Sequence, residues 1–446
     1  MSYLSAPSRP LSALFIDCDS FFASVEQQLN PQLRGKPVGV APVMAETSCC
    51  IAASYEAKHY GVKTGTRISD ARLMCPGIEI VHSQPAEYVK VHHKVIEAVE
   101  DCIHVEEVLS IDEMWAWLPY NWRDPGFVRD LGTKIKRSVL KTVGEEVKVS
   151  IGAAPNRYLA KMASKMRKPD GLFIIENADL PQVLHELELR DFTGIARSME
   201  ARLHASGIHN VRDLCAANKE RLHGVWGGVL GDRLWHLLRG DEVPEIVSAR
   251  KSLGHSHVLP PDSRTPDRAW SILCKLLHKA CERLRSHGLL AGCLTVHLSF
   301  LRETSWNPEV CFSESDSTFY LMRVLQRVWR DRPDPQAKLI KVGVVLSHLV
   351  DQANHTPDLF SGMVAEAMAA YEGDDGNDRH IMANGYDPKN EKHQRLDVAI
   401  DKLRMRYGRQ VVYFGSVQES RKDAPMRISF SHIPDLRLEG DDLERE

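Results

Sequence analysis

Apolar and polar positions alternate along this chain with two different periods, and the changes of period mark out its elements. Leu14-Phe15-Ile16 is a short apolar run of the kind a buried strand makes, and it delivers Asp17 and Asp19 to a helix predicted over Ser20 to Leu29. Val38-Gly39-Val40 and Cys49 to Ser54 read as further strands, and Tyr55 to Gly61 as a short helix closed by its glycine. Ser69 to Met74 is helical up to Pro76-Gly77. Between Ala86 and Ile103, Tyr88, Val91, Val95, Val99 and Cys102 recur at steps of three and four, the stripe of a long amphipathic helix. His104 to Leu118 gathers large apolar residues around Asp112-Glu113. Helices over Phe127 to Leu140 and Asn156 to Met166 alternate with strands at Val147 to Ile151 and Leu172 to Ile175. The succession predicts an α+β palm: a sheet covered by helices on one side, with Val38 to Gly77 as its own small lobe.

From Leu180 the pattern turns helical and basic. Phe192 to Ala196, a helix from Ser198 to Ala205, and Ser206-Gly207-Ile208 suggest a helix-hairpin-helix, whose glycine turn exposes backbone N–H groups to a phosphate. A linker follows Gly240 to Pro244. Helices over Ala269 to Ser286 and Phe319 to Arg330 then alternate with strands over Leu294 to Phe300 and Leu339 to Leu346. Asp351 to Gln394, with its Gly, Asp and Asn clusters, reads as a mobile connector, Leu396 to Tyr407 as a last helix, and the acidic end as frayed.

At 446 residues the chain holds several domains, since single cores stop growing near ~250–300 residues. The net charge of −3 hides an asymmetry: Val247 to Val350 carries 15 Lys and Arg against 9 Asp and Glu, and the residues after it 13 against 19. A basic module followed by an acidic tail suits a polyanionic partner. No apolar run approaches a membrane span, and the N-terminus lacks the pattern of a secretion signal, so the expected location is the cytoplasm, without a membrane partner. The ten cysteines show no C-x-x-C pair and no metal-finger spacing; they read as reduced, mostly buried thiols.

The acids are the candidate chemistry. In a strand Asp17 and Asp19 share a side, while Cys18 points away. Asp19 reads equally as a ligand and as the cap of the following helix. Asp17, Asp112 and Glu113 sit on two elements of one sheet, and three converging carboxylates either hold protons or bind a hard cation such as Mg²⁺. Phe21 and Phe22, by spacing, belong to the core. Tyr55 and Lys58 share a helix face, and Lys168 reads as a basic residue at a helix end.

In this order the blocks resemble the Y-family translesion DNA polymerases. The matching segments are Phe15 to Glu26, Ala53 to Lys58, Gly61 to Gly65, Ser110-Ile111-Asp112-Glu113, Gly152 to Lys161 and Lys168 to Gly171, within residues 11 to 350. The resemblance implies a right hand: a ferredoxin-like palm (1–34 and 78–178), fingers (35–77), a helical thumb with the hairpin (179–243) and an α/β little finger (247–350). Beyond these come a linker (351–394) and a tail (395–446). It implies catalysis by Asp17, Asp112 and Glu113, which with the Cys18 carbonyl hold two Mg²⁺ ions. Phe22 falls at the steric-gate position with Phe21 beside it, and Tyr55, Lys58 and Lys168 at triphosphate contacts. Primer-template DNA and dNTP are the implied partners, with Gly194, Ala196, Gly207, Arg250, Lys251 and Ser252 on the DNA.

Three positions depart from the family pattern: Lys58 stands where arginine is frequent, Ala52 where a hydroxyl is, and Ala196 where a second glycine is. Leu359-Phe360 resembles the end of a sliding-clamp-binding peptide without its leading glutamine, and the tail is similar to the end of polymerase V-type chains, which leaves a recombinase filament or an accessory subunit as further partners. The rival readings are a non-catalytic paralogue serving as a protein-binding hub, which the intact acid triad disfavours, and a palm-type cyclase, which needs no basic module.

Overall fold

Residues 10–244, 250–301, 304–354, 390–408 and 411–420, with Ile433, are described by the computed structural model, and the chain divides into two units near residue 246. Residues 390–420 go with the second unit. Leu359 and Phe360, most of the expected connector and the acidic end lie outside the described residues. Among the described residues no helix is long and apolar enough to cross a membrane.

In the first unit, β1 (Ala13–Cys18) runs into α1 (Phe21–Leu29), and β2 (Val38–Ala41), β3 (Ala52–Ala53), α2 (Tyr55–His59), α3 (Ile68–Met74) and β4 (Glu79–His82) follow. Next come α4 (Pro85–Glu100), β5 (Glu107–Val108), β6 (Glu113–Trp117), α5 (Pro125–Thr142), β7 (Val149–Ala154), α6 (Arg157–Met166) and β8 (Leu172–Ile174). Five of these strands form one sheet in the order β5-β6-β1-β7-β8, and β3-β2-β4 form a small second sheet. All six residues of β1 are buried, as an unbroken apolar run requires when both sides of a sheet are covered.

Two glycines show how that covering is achieved. Gly152 stands opposite Phe15, and a Cβ there would lie 2.1 Å from the Ala160 carbonyl oxygen, so α6 seats directly on that face. Gly132 of α5 meets Leu172, which pairs with Ile151 on the opposite face. Helices therefore cover both sides of the sheet, which corrects the one-sided covering expected from the sequence: periodicity within a helix does not say which face of a distant sheet it will meet.

Helices α7 (Arg197–Ala205), α8 (Val211–Ala216), α9 (Lys219–Trp226) and α10 (Val229–Leu237) pack Leu203, Leu214, Leu222 and Leu234 into one core with α6.

The second unit is a four-stranded antiparallel sheet in the order β11-β10-β12-β9. Its elements are β9 (Ser252–Val258), α11 (Pro266–Ser286), β10 (Leu289–Phe300), β11 (Glu309–Ser315), α12 (Thr318–Arg330) and β12 (Leu339–Asp351). Leu294, Val296 and Leu298 of β10 alternate into a core with both helices, and Thr295 and His297 point to the other, open face. The helix Asn390–Tyr407 packs on this unit, where Arg285 of α11 binds Asp401 through two nitrogens, at 2.7 and 3.0 Å. Cys293 and Cys311 are joined in a disulfide, against the expectation of reduced thiols throughout. A sequence separation of 18 hides the pairing, and the β10–β11 register creates it.

Candidate active site

Asp17, next to last in β1, pairs in register with Glu113, the first residue of β6. Cross-strand partners share a face, so the two carboxylates stand together at one end of the sheet, on the side that α6 covers. Asp112 precedes β6, and the Cys18 N–H donates to its carbonyl at 2.7 Å, tying the acidic turn to the end of β1. The Ser110 hydroxyl donates to Asp112 Oδ1 at 2.6 Å. Behind the turn, the buried His92 ring places Nδ1 2.8 Å from the Ile111 carbonyl, and burial pushes its pKa down to about 4. Neutral at ordinary pH, it can donate from Nδ1 without adding a positive charge.

Charge is crowded here. Burial pushes Asp17 up to about 6; Lys168 opposes the rise, and Asp112 and Glu113 add to it. Asp112 is raised as well, first by its burial. Two lysines hold the acids. Lys168 forms an ion pair with Asp17 and lies 3.4 Å from Asp19 Oδ1. Burial alone would lower the Lys168 pKa, but the attraction of these two aspartates outweighs it and leaves the group raised. Lys161 of α6 reaches Glu113 at 2.7 and 2.8 Å. Lys168 is thus no helix-end residue serving a dipole; it closes the acid cluster from the loop beyond α6.

Asp19 does not cap α1. Ser20 is the N-cap, with φ 50° and no side-chain cap bond, while the Asp19 carboxylate turns inward. It accepts the Asp170 N–H at 2.7 Å and the Tyr55 hydroxyl at 3.2 Å, and Ser150 Oγ lies 2.9 Å from both its oxygens. With its lone pairs so occupied, Asp19 fastens the loop carrying Lys168 to the end of β1, and Asp17 is left as the metal-ligand candidate of the pair. Lys58 donates to Ser20 Oγ at 2.6 Å and sits 4.4 Å from the Tyr55 ring centre. Burial lowers its pKa, and nearby Lys168 lowers it further against the pull of the aspartates. Tyr55, Lys58 and Lys168, separate in sequence, thus face one small region.

Phe21 and Phe22 are both 2% exposed, the core positions that spacing predicts. Phe22 stacks on Tyr88 with ring centres 4.7 Å apart, and the Tyr88 hydroxyl donates at 2.5 Å to the buried Glu26. Elsewhere in this unit Gly194 and Gly207 occupy exposed turns at φ 93° and 73°, and Ala196, also exposed, is the N-cap of α7. Arg250, Lys251 and Ser252 are exposed at the start of β9 in the second unit.

Lys161, Ser150, Ser110 and the Tyr88–Glu26 pair were not singled out by sequence reasoning. Only Lys161 left a usable signal there, as a cation set among Leu159, Ala160, Met162 and Ala163, all buried.

The donors at the sheet end suit a hard cation. Asp17, Asp112 and Glu113 offer carboxylate oxygens, the Cys18 backbone offers a carbonyl, and the Cys18 thiol is buried with a pKa raised well above normal, so no soft thiolate competes.

Residues 16–165 match the model of the impB/mucB/samB family, and residues 250–359 the model of its C-terminal domain. DNA polymerase IV of Moorella thermoacetica is 32% identical over 91% of this chain and 96% of its own length. DNA polymerase IV of Staphylococcus aureus is 27% identical over 78% of this chain and 98% of its own length. Among solved structures, a Y-family DNA polymerase chimera built on Dbh matches 76% of this chain and 99% of its own, with TM-score 0.63 and 26% identity. An insertion ternary complex of Dbh DNA polymerase matches the same shares of both chains with TM-score 0.50 and 26% identity.

Proposed function

Because this chain belongs to the impB/mucB/samB family and is a DNA-directed DNA polymerase of the Y-family, we propose that it extends primers opposite damaged template bases by two-metal-ion nucleotidyl transfer. The observation that carries the reading is the in-register pair Asp17–Glu113 with Asp112 beside it, Asp17 buried and raised to about 6 in spite of Lys168. Asp17, Asp112, Glu113 and the Cys18 carbonyl would hold two Mg²⁺ ions. Bound there, the ions supply charge neutralisation for the triphosphate and the leaving pyrophosphate and lower the pKa of the primer 3′-hydroxyl.

The chain's own residues do the positioning. Lys168 and Lys58 each carry a single ammonium group on a four-carbon stem, able to exchange their aspartate and serine partners for triphosphate oxygens. Tyr55, anchored on Asp19, stands beside them as a further triphosphate contact. Phe22, stacked on Tyr88 and 2% exposed, is the ring we assign to exclusion of a 2′-hydroxyl. Primer-template DNA is gripped through phosphates: backbone N–H groups at Gly194 and Ala196, the exposed turn at Gly207 and the side chains of Arg250, Lys251 and Ser252 bind without reading sequence. That economy of base contacts suits the copying of distorted template. Leu359 and Phe360 are proposed as a sliding-clamp contact, and the tail as a contact for a recombinase filament or an accessory subunit.

Primer extension across a lesion tests the reading. The unmutated chain should extend in the presence of Mg²⁺, and Asp112→Ala should extend at least about a thousandfold more slowly, since losing several kcal/mol of charge stabilisation costs about that factor. A chain that extends no primer, or an Asp112→Ala variant as active as its parent, would overturn it. Phe22→Ala should lower the preference for dNTP over rNTP by about tenfold, one such factor corresponding to roughly 1.4 kcal/mol in the competing transition states.

A further inference from the structure

Two cysteines and a histidine meet on the open face of the second unit's sheet. Cys293 of β10 and Cys311 of β11 are cross-strand partners, and His348 Nδ1 of β12 lies 3.0 Å from Cys293 Sγ. One donor atom from each of the three falls within 4.8 Å of the others.

His348 reaches this place against the pleat of its own strand. Val342, Val344 and Leu346 face the core, so simple alternation would send His348 there as well. Instead His348 takes φ 52°, the alternation inverts, and Leu349 packs on the core in its stead. The facing strand makes room: β10 is irregular between Ala291 and Cys293, and a Cβ on Gly292 would come within 3.3 Å of the His348 Cβ. A non-glycine residue held in the left-handed region mid-strand is uncommon, and such outliers gather where a side chain must be aimed.

Two thiolates and one imidazole are ligands for zinc and its borderline-soft relatives, and poor ligands for magnesium. We propose that Cys293, Cys311 and His348, with the disulfide reduced, bind one zinc-class divalent cation, leaving a fourth position to water. Tetrahedral zinc, with bonds of about 2.3 Å to sulfur and 2.0 Å to nitrogen, sets its ligand atoms roughly 3.5 Å apart. The three donors are already gathered to that scale. Cys311 lies on β11, the edge strand, which is hydrogen-bonded on one side only and can yield as the sulfurs part. Opening the bond takes two equivalents of a monothiol reductant, which leave as their own disulfide while each protein sulfur gains a proton. Both protons go to solvent when the cation binds. Disulfide and metal site are therefore alternative states of the same two sulfurs.

Cobalt titration of the whole chain tests this. The reduced protein should take up one equivalent of Co²⁺ with a thiolate-to-cobalt charge-transfer band and the visible bands of tetrahedral cobalt, and Zn²⁺ should displace it. The peroxide-oxidised protein should show neither band. Cys311→Ser should lose at least half of the charge-transfer intensity, and His348→Ala should weaken cobalt binding about tenfold or more. Cys50→Ser should leave both unchanged. The proposal fails if the reduced chain gives no tetrahedral spectrum, if oxidation leaves binding intact, or if Cys311→Ser, shown folded by its melting curve, keeps the full spectrum. Should Cys311→Ser not fold, His348→Ala at an exposed position decides alone, and unchanged affinity there sinks the idea.

Discussion

Each unit buries a cluster of carboxylates against cations, and the two clusters are built to different ends. In the second unit Arg285, with 10% of its side chain exposed, binds both oxygens of Asp401 and also donates to the Asp316 carbonyl and the Thr318 hydroxyl. Asp397 beside it accepts the Thr318 N–H at 2.9 Å. The planar fork is used from both sides, and it locks helix 390–407 onto α11 and α12. At the sheet end of the first unit the cations are lysines, each a single ammonium on a flexible stem. There burial raises the Asp17 carboxyl to about 6 against the pull of Lys168, and no saturated set of hydrogen bonds fixes it. A fork spends its donors on fixed partners; an ammonium can leave. The chemistry of the cation separates a fastening from a site, although both are buried acid–base clusters.

That contrast can be broken by experiment. Arg285→Met should lower the stability of the second unit by about 3–5 kcal/mol, because it strands buried aspartates without their partner; denaturant unfolding followed by circular dichroism measures it. Lys168→Ala should barely move that curve and should instead cut kcat/KM for dNTP by roughly tenfold to a hundredfold, or about 1.4–2.8 kcal/mol of transition-state stabilisation. A Lys168→Ala variant as unstable as Arg285→Met would erase the distinction between tether and fastening.

The smallest effect is with pH. Asp17 has its folded pKa raised from 3.8 to about 6, so its protonation stabilises the fold fully below pH 3.8, a contribution lost as the pH rises through about 6. Cation binding has the opposite demand and needs the carboxylate. Steady-state extension at fixed Mg²⁺ should therefore fall by up to about tenfold for each pH unit below 6. A profile flat from pH 7 to 5 would show that Asp17 is not the titrating ligand.

Much of the first unit was legible in its residues. The run Leu14 to Ile16, the Tyr88 to Cys102 stripe and the Asn156 cap of α6 specify their elements locally, because burial on a regular backbone imposes its own period. Three strands escaped: β4, β9 and β11. In β11, Glu309 to Ser315, polar residues outnumber apolar ones, as an edge strand with one open face allows.

The acids were visible as candidates from their type and from the apolar residues around them, but their roles were not. Asp17 and Asp19 are two residues apart and chemically identical; what separates them is Ser150, 131 residues from Asp19, and the N–H of Asp170. Lys161 earns its place through Glu113, 48 residues away, and His348 through a backbone angle that no residue pattern encodes. The sequence alone determined which stretches pair with themselves, as helices and strands, and which acids were in excess. Tertiary structure alone decided which carboxylate is saturated with hydrogen bonds and which rests on a lysine, because hydrogen-bond saturation depends on register between strands and on loops far apart in the chain.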